Sequence, residues 1–276
     1  MGAVRKTFQS AVVFLRTRPQ KLIKPSLWNQ NIADFSFLDD SMTLNYLITH
    51  DVGLARLGNS ELAFIAGRDI RHQRQNRRLR HYLTNCVRTY NEKGSPESAG
   101  FLLCLPLDLT IGKDAFERSI HSFAQKPYRP DIWQRSPRYV VDLLARKNVL
   151  YGCSNALRFR ESVAATTLED HIEGYLKLLN SSKSIFFAPA IDHDRIRKYL
   201  DDVTIVTIPA ANAFENFEEM LDQARAFCTS HPSARVLVTA GLTGTALSFE
   251  LNRAGIVTLD VGQSLRHLDI VTTDDK

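Results

Sequence analysis

The chain has 276 residues, of which 44% are hydrophobic and 24% charged, and a formal net charge of +5, a size and balance that suit one large α/β core or two modest ones. Its longest apolar runs, such as Phe101–Leu105 and Ile185–Ala190, are strand-sized and fall short of the about 18 residues that a membrane-crossing helix needs. Cys86, Cys104, Cys153 and Cys228 are widely separated with no Cys-x-x-Cys pair, which speaks against a disulfide frame or a zinc site and for reduced, buried thiols in a cytoplasmic protein.

At the amino end, Arg5 and Lys6 precede a short apolar run, Ala11 to Leu15, which Arg16 and Arg18 cut off. No small-residue cleavage site follows, so a secretory signal is not expected. Arg5, Lys6, Arg16, Arg18, Lys21 and Lys24 all come before the first acid, Asp34. On a helix over Gly2–Leu15, Val4, Phe8, Val12 and Leu15 share a face, which suits peripheral contact with an anionic membrane surface or a partner. A helix packed on the core with solvated charges fits the same spacing. Residues 1–40 are read as this basic segment and residues 41–276 as a single α/β domain.

The first strand is expected near Leu54–Leu57, ending in Gly58-Asn59-Ser60-Glu61, with a helix after it. Arg68, Arg71, Arg74, Arg77, Arg78 and Arg80, interleaved with His72, His81 and Tyr82, follow. Their helical spacing reads as a solvated face or a positive rim for anionic ligands, not as a nucleic-acid patch. Asn91–Gly100 and the proline-punctuated Lys126–Pro137 carry the clearest loop signals, and Phe101–Leu105, ending at Pro106, reads as the next strand. Beyond these, β-branched runs at Ile185–Ala190, Val203–Pro209, Arg235–Ala240 and Ile256–Asp260 alternate with helix-period segments near Asp192–Leu200, Glu215–Thr229 and Thr243–Arg253. Such a series predicts a Rossmann-like, mostly parallel sheet with helices on both faces. Ligands of such sheets bind beyond the carboxyl ends of the strands.

Three strings stand at those ends. Arg56-Leu57-Gly58-Asn59-Ser60-Glu61 joins a cation, a turn glycine and two oxygen-bearing side chains two residues apart, a set that suits a hard divalent cation shared with a diphosphate. The same string also fits an Asn-Ser helix cap with Glu61 in the first turn. Gly241-Leu242-Thr243-Gly244-Thr245 lies between a strand and a helix, where free N–H groups hold a phosphate, or where Thr243 merely caps the helix. It matches neither a Walker loop nor Gly-x-Gly-x-x-Gly. Asp260-Val261-Gly262-Gln263 ends the last strand with an acid that accepts hydrogen bonds from a sugar or ribose, or that caps a turn. Scattered histidines without His-Glu-x-x-His, and the lack of Gly-x-Ser-x-Gly, give no support to zinc-hydrolase or serine-hydrolase chemistry.

Taken in order, from about Thr43 to about Asp269, these strings resemble the GT-D-fold family of bacterial glycosyltransferases. The family's Arg-x-Gly-Asp-Gly-Glu stands here as Arg56 to Glu61, and a glutamine after an aromatic as Gln73 after His72. The Leu-Cys-Leu-Pro-like strand end is Leu103–Pro106, and the tyrosine segment with a downstream arginine is Tyr151-Gly152 and Arg158. Pro-x-x-Asn-Ala-Phe is matched by Pro209 to Phe214, Leu-Gly-Pro-Thr-Ala by Ala240 to Gly244, and Asp-Ile-Gly-His by Asp260 to Gln263.

The resemblance implies sugar transfer from a UDP-sugar to a glycan or glycoprotein acceptor in surface glycan or glycoprotein synthesis, with Mn²⁺ or Mg²⁺ at an Asp-x-Glu motif. It implies Glu61 and Asp260 as catalytic, Asn59 and Glu61 as metal-facing, and Arg56, Gly58, Gln73, Arg158, Asn212, Gly241 and Thr243 as donor-binding. Asn212 has the rival role of capping the helix from Glu215, and Arg56 that of a structural ion-pair partner. Asn59 in place of aspartate weakens a cation's hold, and Gln263 in place of histidine removes a titratable group. These departures motivate a second reading, a non-catalytic nucleotide-sugar-binding partner of other glycosyltransferases.

Overall fold

In the computed structural model, which describes residues 36–67, 69–70, 72–105, 149–153 and 168–273, the β-branched runs and the helix-period segments alternate as the sequence predicts. The strands are β1 (Ser36–Phe37), β2 (Gly53–Arg56), β3 (Phe101–Leu105), β4 (Leu150–Cys153), β5 (Ser184–Ala188), β6 (Val203–Thr207), β7 (Arg235–Val238) and β8 (Thr258–Asp260). They form one eight-stranded sheet in the order β1-β4-β3-β2-β8-β7-β5-β6, and every pairing is parallel. The helices are α1 (Asp40–His50), α2 (Asn59–Ile65), α3 (Arg77–Lys93), α4 (Pro96–Ala99), α5 (Leu168–Leu179), α6 (His193–Tyr199), α7 (Phe217–Ser230), α8 (Leu242–Arg253) and α9 (Ser264–Thr273).

Side chains alternate across a strand, so the sheet sorts its apolar residues into two cores. Leu54, Leu102, Phe186, Leu237 and Leu259 point to one face, where α1, α5, α6 and α9 pack. Ala55, Leu103, Phe187, Val236 and Val238 point to the other, beneath α2, α3, α4, α7 and α8. Steps toward the β6 edge run through α1, α5 and α6, and the returns through α7 and α8 lie on the opposite face, as right-handed crossovers require. Phe101, Phe186, Phe187, Phe217 and Phe249 are all at most 1% exposed, and each such side chain contributes roughly 1.5–3 kcal/mol of transfer free energy.

Helix α3 shows how local sequence sets an element. Asn76 caps it by accepting from the N–H groups of Arg78 and Leu79, a bond typically worth about 1 kcal/mol. Leu79, Leu83, Cys86, Val87 and Tyr90 form its buried stripe at the helical period. Arg77, Arg78 and Arg80 are exposed, in keeping with the solvated-face reading, and Arg78 pairs with Glu218.

The stretch Asn91–Gly100 is not one loop. It holds the last turn of α3, closed by Gly94 at φ 76°, then α4, closed by Gly100 at φ 81°. The left-handed glycines that signalled a loop are helix ends. The sequence reading also omits α1, α5, α9 and the strands β1 and β4, of which β1 lies within the residues read as the basic segment. Lys126–Pro137, Pro106, Arg68, Arg71, Arg158 and the basic segment up to residue 35 lie outside the described residues. Among the described residues, no helix is long and apolar enough to cross a membrane, and all four cysteines are buried and none is joined in a disulfide.

Candidate functional site

Strands β2 and β8 are neighbours near the middle of the sheet, in register at Leu54 and Leu259. Beyond its carboxyl end, β2 leads to α2 on one face, whereas β8 leads to α9 on the other. Chain ends that part in this way leave a crevice, the usual ligand position of an open parallel sheet. Arg56 closes β2 and Asp260 closes β8, so the topology places these two residues together although 204 positions separate them.

Arg56 Nη2 donates to Asp260 Oδ1 at 3.3 Å, with side-chain exposures of 13% and 2%. The other carboxylate oxygen, Oδ2, accepts from Thr245 Oγ1 at 3.1 Å, and the same hydroxyl lies 2.8 Å from the carbonyl oxygen of Arg56. Gly262 makes the arrangement possible. It has φ 50°, a conformation that favours glycine, and a Cβ there would overlap the Arg56 guanidinium. Thr239 fixes the same turn by donating to the carbonyl of Gly262 at 2.9 Å. Behind the carboxylate, a Cβ on Gly244 would stand 3.3 Å from Asp260 Oδ1.

Glu61 adds a second buried carboxylate. Helix α2 starts from Gly58 as its N-cap, which offers no side-chain cap, so the expected Asn-Ser cap does not form. Glu61 occupies the third helical position, from which a carboxylate reaches back toward the free N–H groups of the first turn. A Cβ on Gly58 would stand 2.8 Å from Glu61 Oε2, which is why this position carries a glycine even though its backbone is extended. Burial raises the pKa of Glu61, and Asp260 raises it further, against the pull of backbone N–H groups and Arg56. Asp260 is also raised by burial, offset in part by Arg56 and Thr245. Burial opposes the charge on Arg56, but Asp260 and Glu61 outweigh it and its pKa ends above the ordinary value.

Two buried carboxylates thus share one guanidinium, a surplus of one negative charge when both are ionised. Such a surplus among oxygen donors fits a hard divalent cation. Among the described residues, no three His, Cys, Asp or Glu side chains gather at ligand spacing, so the diphosphate and water would have to complete the coordination. Asn59 opens α2; its side chain is outside the described set. Arg56 Nε is buried with no hydrogen-bond partner, a donor that an incoming anion would satisfy.

The first turn of α8 adjoins the cluster through Gly244 and Thr245. Gly241 is the N-cap at φ 53° and has no side chain with which to cap. Thr243 is the second residue of the helix, not its cap, and its fully buried Oγ1 has no hydrogen-bond partner.

Asn212 is brought together with the segment that holds Gln73. Its backbone is left-handed at φ 54°, and it opens the turn Ala213–Asn216 without a side-chain cap bond. Instead its Oδ1 accepts from Arg74 N at 3.0 Å, while its own N–H donates to the carbonyl of His72 at 2.9 Å. The capping role expected for its side chain is therefore replaced by a link between the segment after α2 and the segment after β6. Gln73 is buried and donates to the carbonyl of Arg74 at 3.2 Å. Gln263 is exposed. Thr245 and Gly262 stand inside strings that the sequence singles out, but only their spatial neighbours reveal what they hold.

The sequence matches the family described as Glycosyltransferase GT-D fold over residues 54–271. A solved structure reported under the words "The highly conserved domain of unknown function 1792 has a distinct glycosyltransferase fold" superposes with a TM-score of 0.73 at 17% identity, over 91% of this chain and 86% of that one. Another, "A New Glycosyltransferase (DUF1792) from Streptococcus sanguinis", gives 0.67 at 17% identity, over 87% and 85%. No curated protein matches the sequence. With the matched span running from β2 to α9, across every element that builds the crevice between β2 and β8, the chain belongs to the GT-D-fold family of glycosyltransferases.

Proposed function

We propose that the chain transfers a sugar from a UDP-sugar to a glycan or glycoprotein acceptor, with the donor's diphosphate seated at the carboxyl ends of β2 and β8. The observation that carries this reading is the buried cluster of Arg56, Glu61 and Asp260 in a chain of this family. Arg56 supplies positive charge to the departing diphosphate, and its unpaired Nε is the donor left over for that task. A preorganised, desolvated cation of this kind favours a leaving group whose charge grows in the transition state. Asp260, already oriented through both oxygens, accepts hydrogen bonds from donor or acceptor hydroxyls. Free N–H groups of the first turn of α8, with Gly241 and Thr243, face phosphate oxygens. Glu61, with Asn59, would hold Mn²⁺ or Mg²⁺, which when bound neutralises the diphosphate.

Calorimetric titration of UDP and UDP-sugars, with and without Mn²⁺, tests this together with a donor-hydrolysis assay. Metal-dependent binding and hydrolysis in the wild type, both lost in Glu61→Ala, are expected. Binding without turnover across a panel of acceptors would favour the partner reading, which the Asn59 and Gln263 departures motivate. No nucleotide binding under any condition would end the proposal.

A further inference from the structure

We infer that Thr245 is a positioning residue for the transfer reaction, setting the orientation of Asp260 and the end of β2 through one hydroxyl; this rests on the donor site proposed above. Thr245 is fully buried on the first turn of α8, and its Oγ1 has two acceptors within reach, Arg56 O at 2.8 Å and Asp260 Oδ2 at 3.1 Å. A hydroxyl carries a single proton. It is therefore shared between the carbonyl that ends β2 and the carboxylate that ends β8, joining the two strands where their residues form the crevice.

The geometry around Asp260 makes that bond decisive. Oδ1 is engaged by Arg56 Nη2 at 3.3 Å, a longer contact than the one Thr245 makes to Oδ2. On the Oδ1 side the carboxylate packs against Gly244, where even a Cβ would stand 3.3 Å from Oδ1. Thr245 is the side-chain hydrogen bond to Oδ2, beside the backbone hydrogen bond that Asp260 accepts from Gly262, and its loss lets the carboxylate turn away from the donor and acceptor hydroxyls it is proposed to orient. Arg56 keeps its place at the diphosphate, so the change falls on the orientation of Asp260 and not on UDP binding. Small displacements of groups that orient reacting atoms lower the rate of the chemical step more than they lower binding.

Threonine is also the residue type that meets both needs of the position. Its methyl group fills the buried side of α8 as a valine methyl would, and its hydroxyl supplies the donor. Thr245→Val keeps the volume and removes the donor. Thr245→Ser keeps the donor and removes a methyl. A residue kept for packing responds to the second change at least as strongly as to the first, whereas a positioning residue responds to the first alone.

The experiment measures kcat and KM for hydrolysis of whichever of UDP-glucose, UDP-galactose and UDP-N-acetylglucosamine the wild type turns over fastest. It also measures UDP affinity by calorimetry, and melting temperature, for wild type, Thr245→Val and Thr245→Ser. The expected result is a fall in kcat of about 10-fold or more for Thr245→Val, the scale of a lost hydrogen bond to a charged group. UDP affinity should stay within about 3-fold and Thr245→Ser should return kcat to within about 3-fold of wild type. Unchanged kcat in Thr245→Val overturns the inference, as does a loss that Thr245→Ser shares. A fall in UDP affinity that matches the fall in kcat overturns it too. A wild type that neither binds UDP nor hydrolyses any donor removes the proposed function itself, and this inference with it.

Discussion

Glu61 lies where burial and the neighbouring Asp260 both work against its charge, and a group so placed links stability to pH in a definite direction. Its pKa in the folded chain stands above the ordinary carboxylate value of 4.5. Between those two values the folded protein keeps a proton that the unfolded chain has released, so stability falls as pH rises through that window. Glu61→Gln removes the charge and keeps the shape, and glutamine serves the third position of a helix as well as glutamate does. The variant should therefore melt above the wild type at pH 8, by roughly 2–4 °C for each kcal/mol recovered in a chain of this size. The difference should close as pH falls toward about 4.5, where the unfolded chain also takes up the proton. Calorimetric melts of both proteins across this range check it, and a Glu61→Gln that melts lower at pH 8 would mean that the charge is satisfied in the metal-free fold. The expected pattern, more stable and less active, is that of a residue retained for function at a cost in stability.

At the scale of elements, the link between Asn212 and the segment from His72 to Arg74 joins the end of β2's exit to the end of β6's, two strands at the centre and the edge of the sheet. Asparagine is among the few non-glycine residues that accept a left-handed backbone. Asn212→Ala loses both this tolerance and the acceptor for Arg74 N–H; Asn212→Gly loses only the acceptor. Alanine should cost about 1–2 kcal/mol in urea unfolding and glycine less, and in both variants the amide of Arg74 should exchange faster with solvent. Equal stability of all three proteins with an unchanged Arg74 amide would show that the link holds nothing.

That element also marks the border of what the sequence discloses. The back half was legible because β5 to β8 are short β-branched runs with helix-period segments between them, and their observed bounds differ from the expected ones by a few residues. Strand β4 was not, since Leu150-Tyr151-Gly152-Cys153 offers a glycine where a strand signal is sought, and that glycine answers to Cys104 and Leu102 on the next strand. Of the candidate site, Arg56, Glu61 and Asp260 were found as strand-end polar residues. That Arg56 and Asp260 pair is a fact of strand order, and the roles of Thr245 and Gly262 depend on that pairing, so neither spacing nor residue type discloses them. Arg74, Arg77, Arg78 and Arg80 were read from their period alone, which is enough when the outcome is exposure.

For the whole molecule, the crevice coincides with the seam of the sheet. Strands β1, β4, β3 and β2 lie on one side of it and β8, β7, β5 and β6 on the other, and the side-chain bonds across the seam include Arg56 to Asp260 and Thr245 to the carbonyl of Arg56. A diphosphate seated between Arg56 and the first turn of α8 would touch both sides at once. Its binding energy should then appear as global stabilisation rather than as the ordering of one loop, because neither half can open without releasing it. At a concentration of UDP 100 times its Kd in the presence of Mn²⁺, stabilisation of about 2.7 kcal/mol is expected, a rise in melting temperature of about 5–10 °C. Amide exchange should slow at residues 56–62 and 239–263 together, and also in the buried strands β3 and β7 that flank the seam. Chelating the metal should reverse most of the rise in the wild type and change nothing in Glu61→Ala. A rise confined to faster-exchanging surface amides, with β3 and β7 unaffected, would place the nucleotide away from the seam, and the pairing of Arg56 with Asp260 would then be a structural bond between the two halves of the sheet.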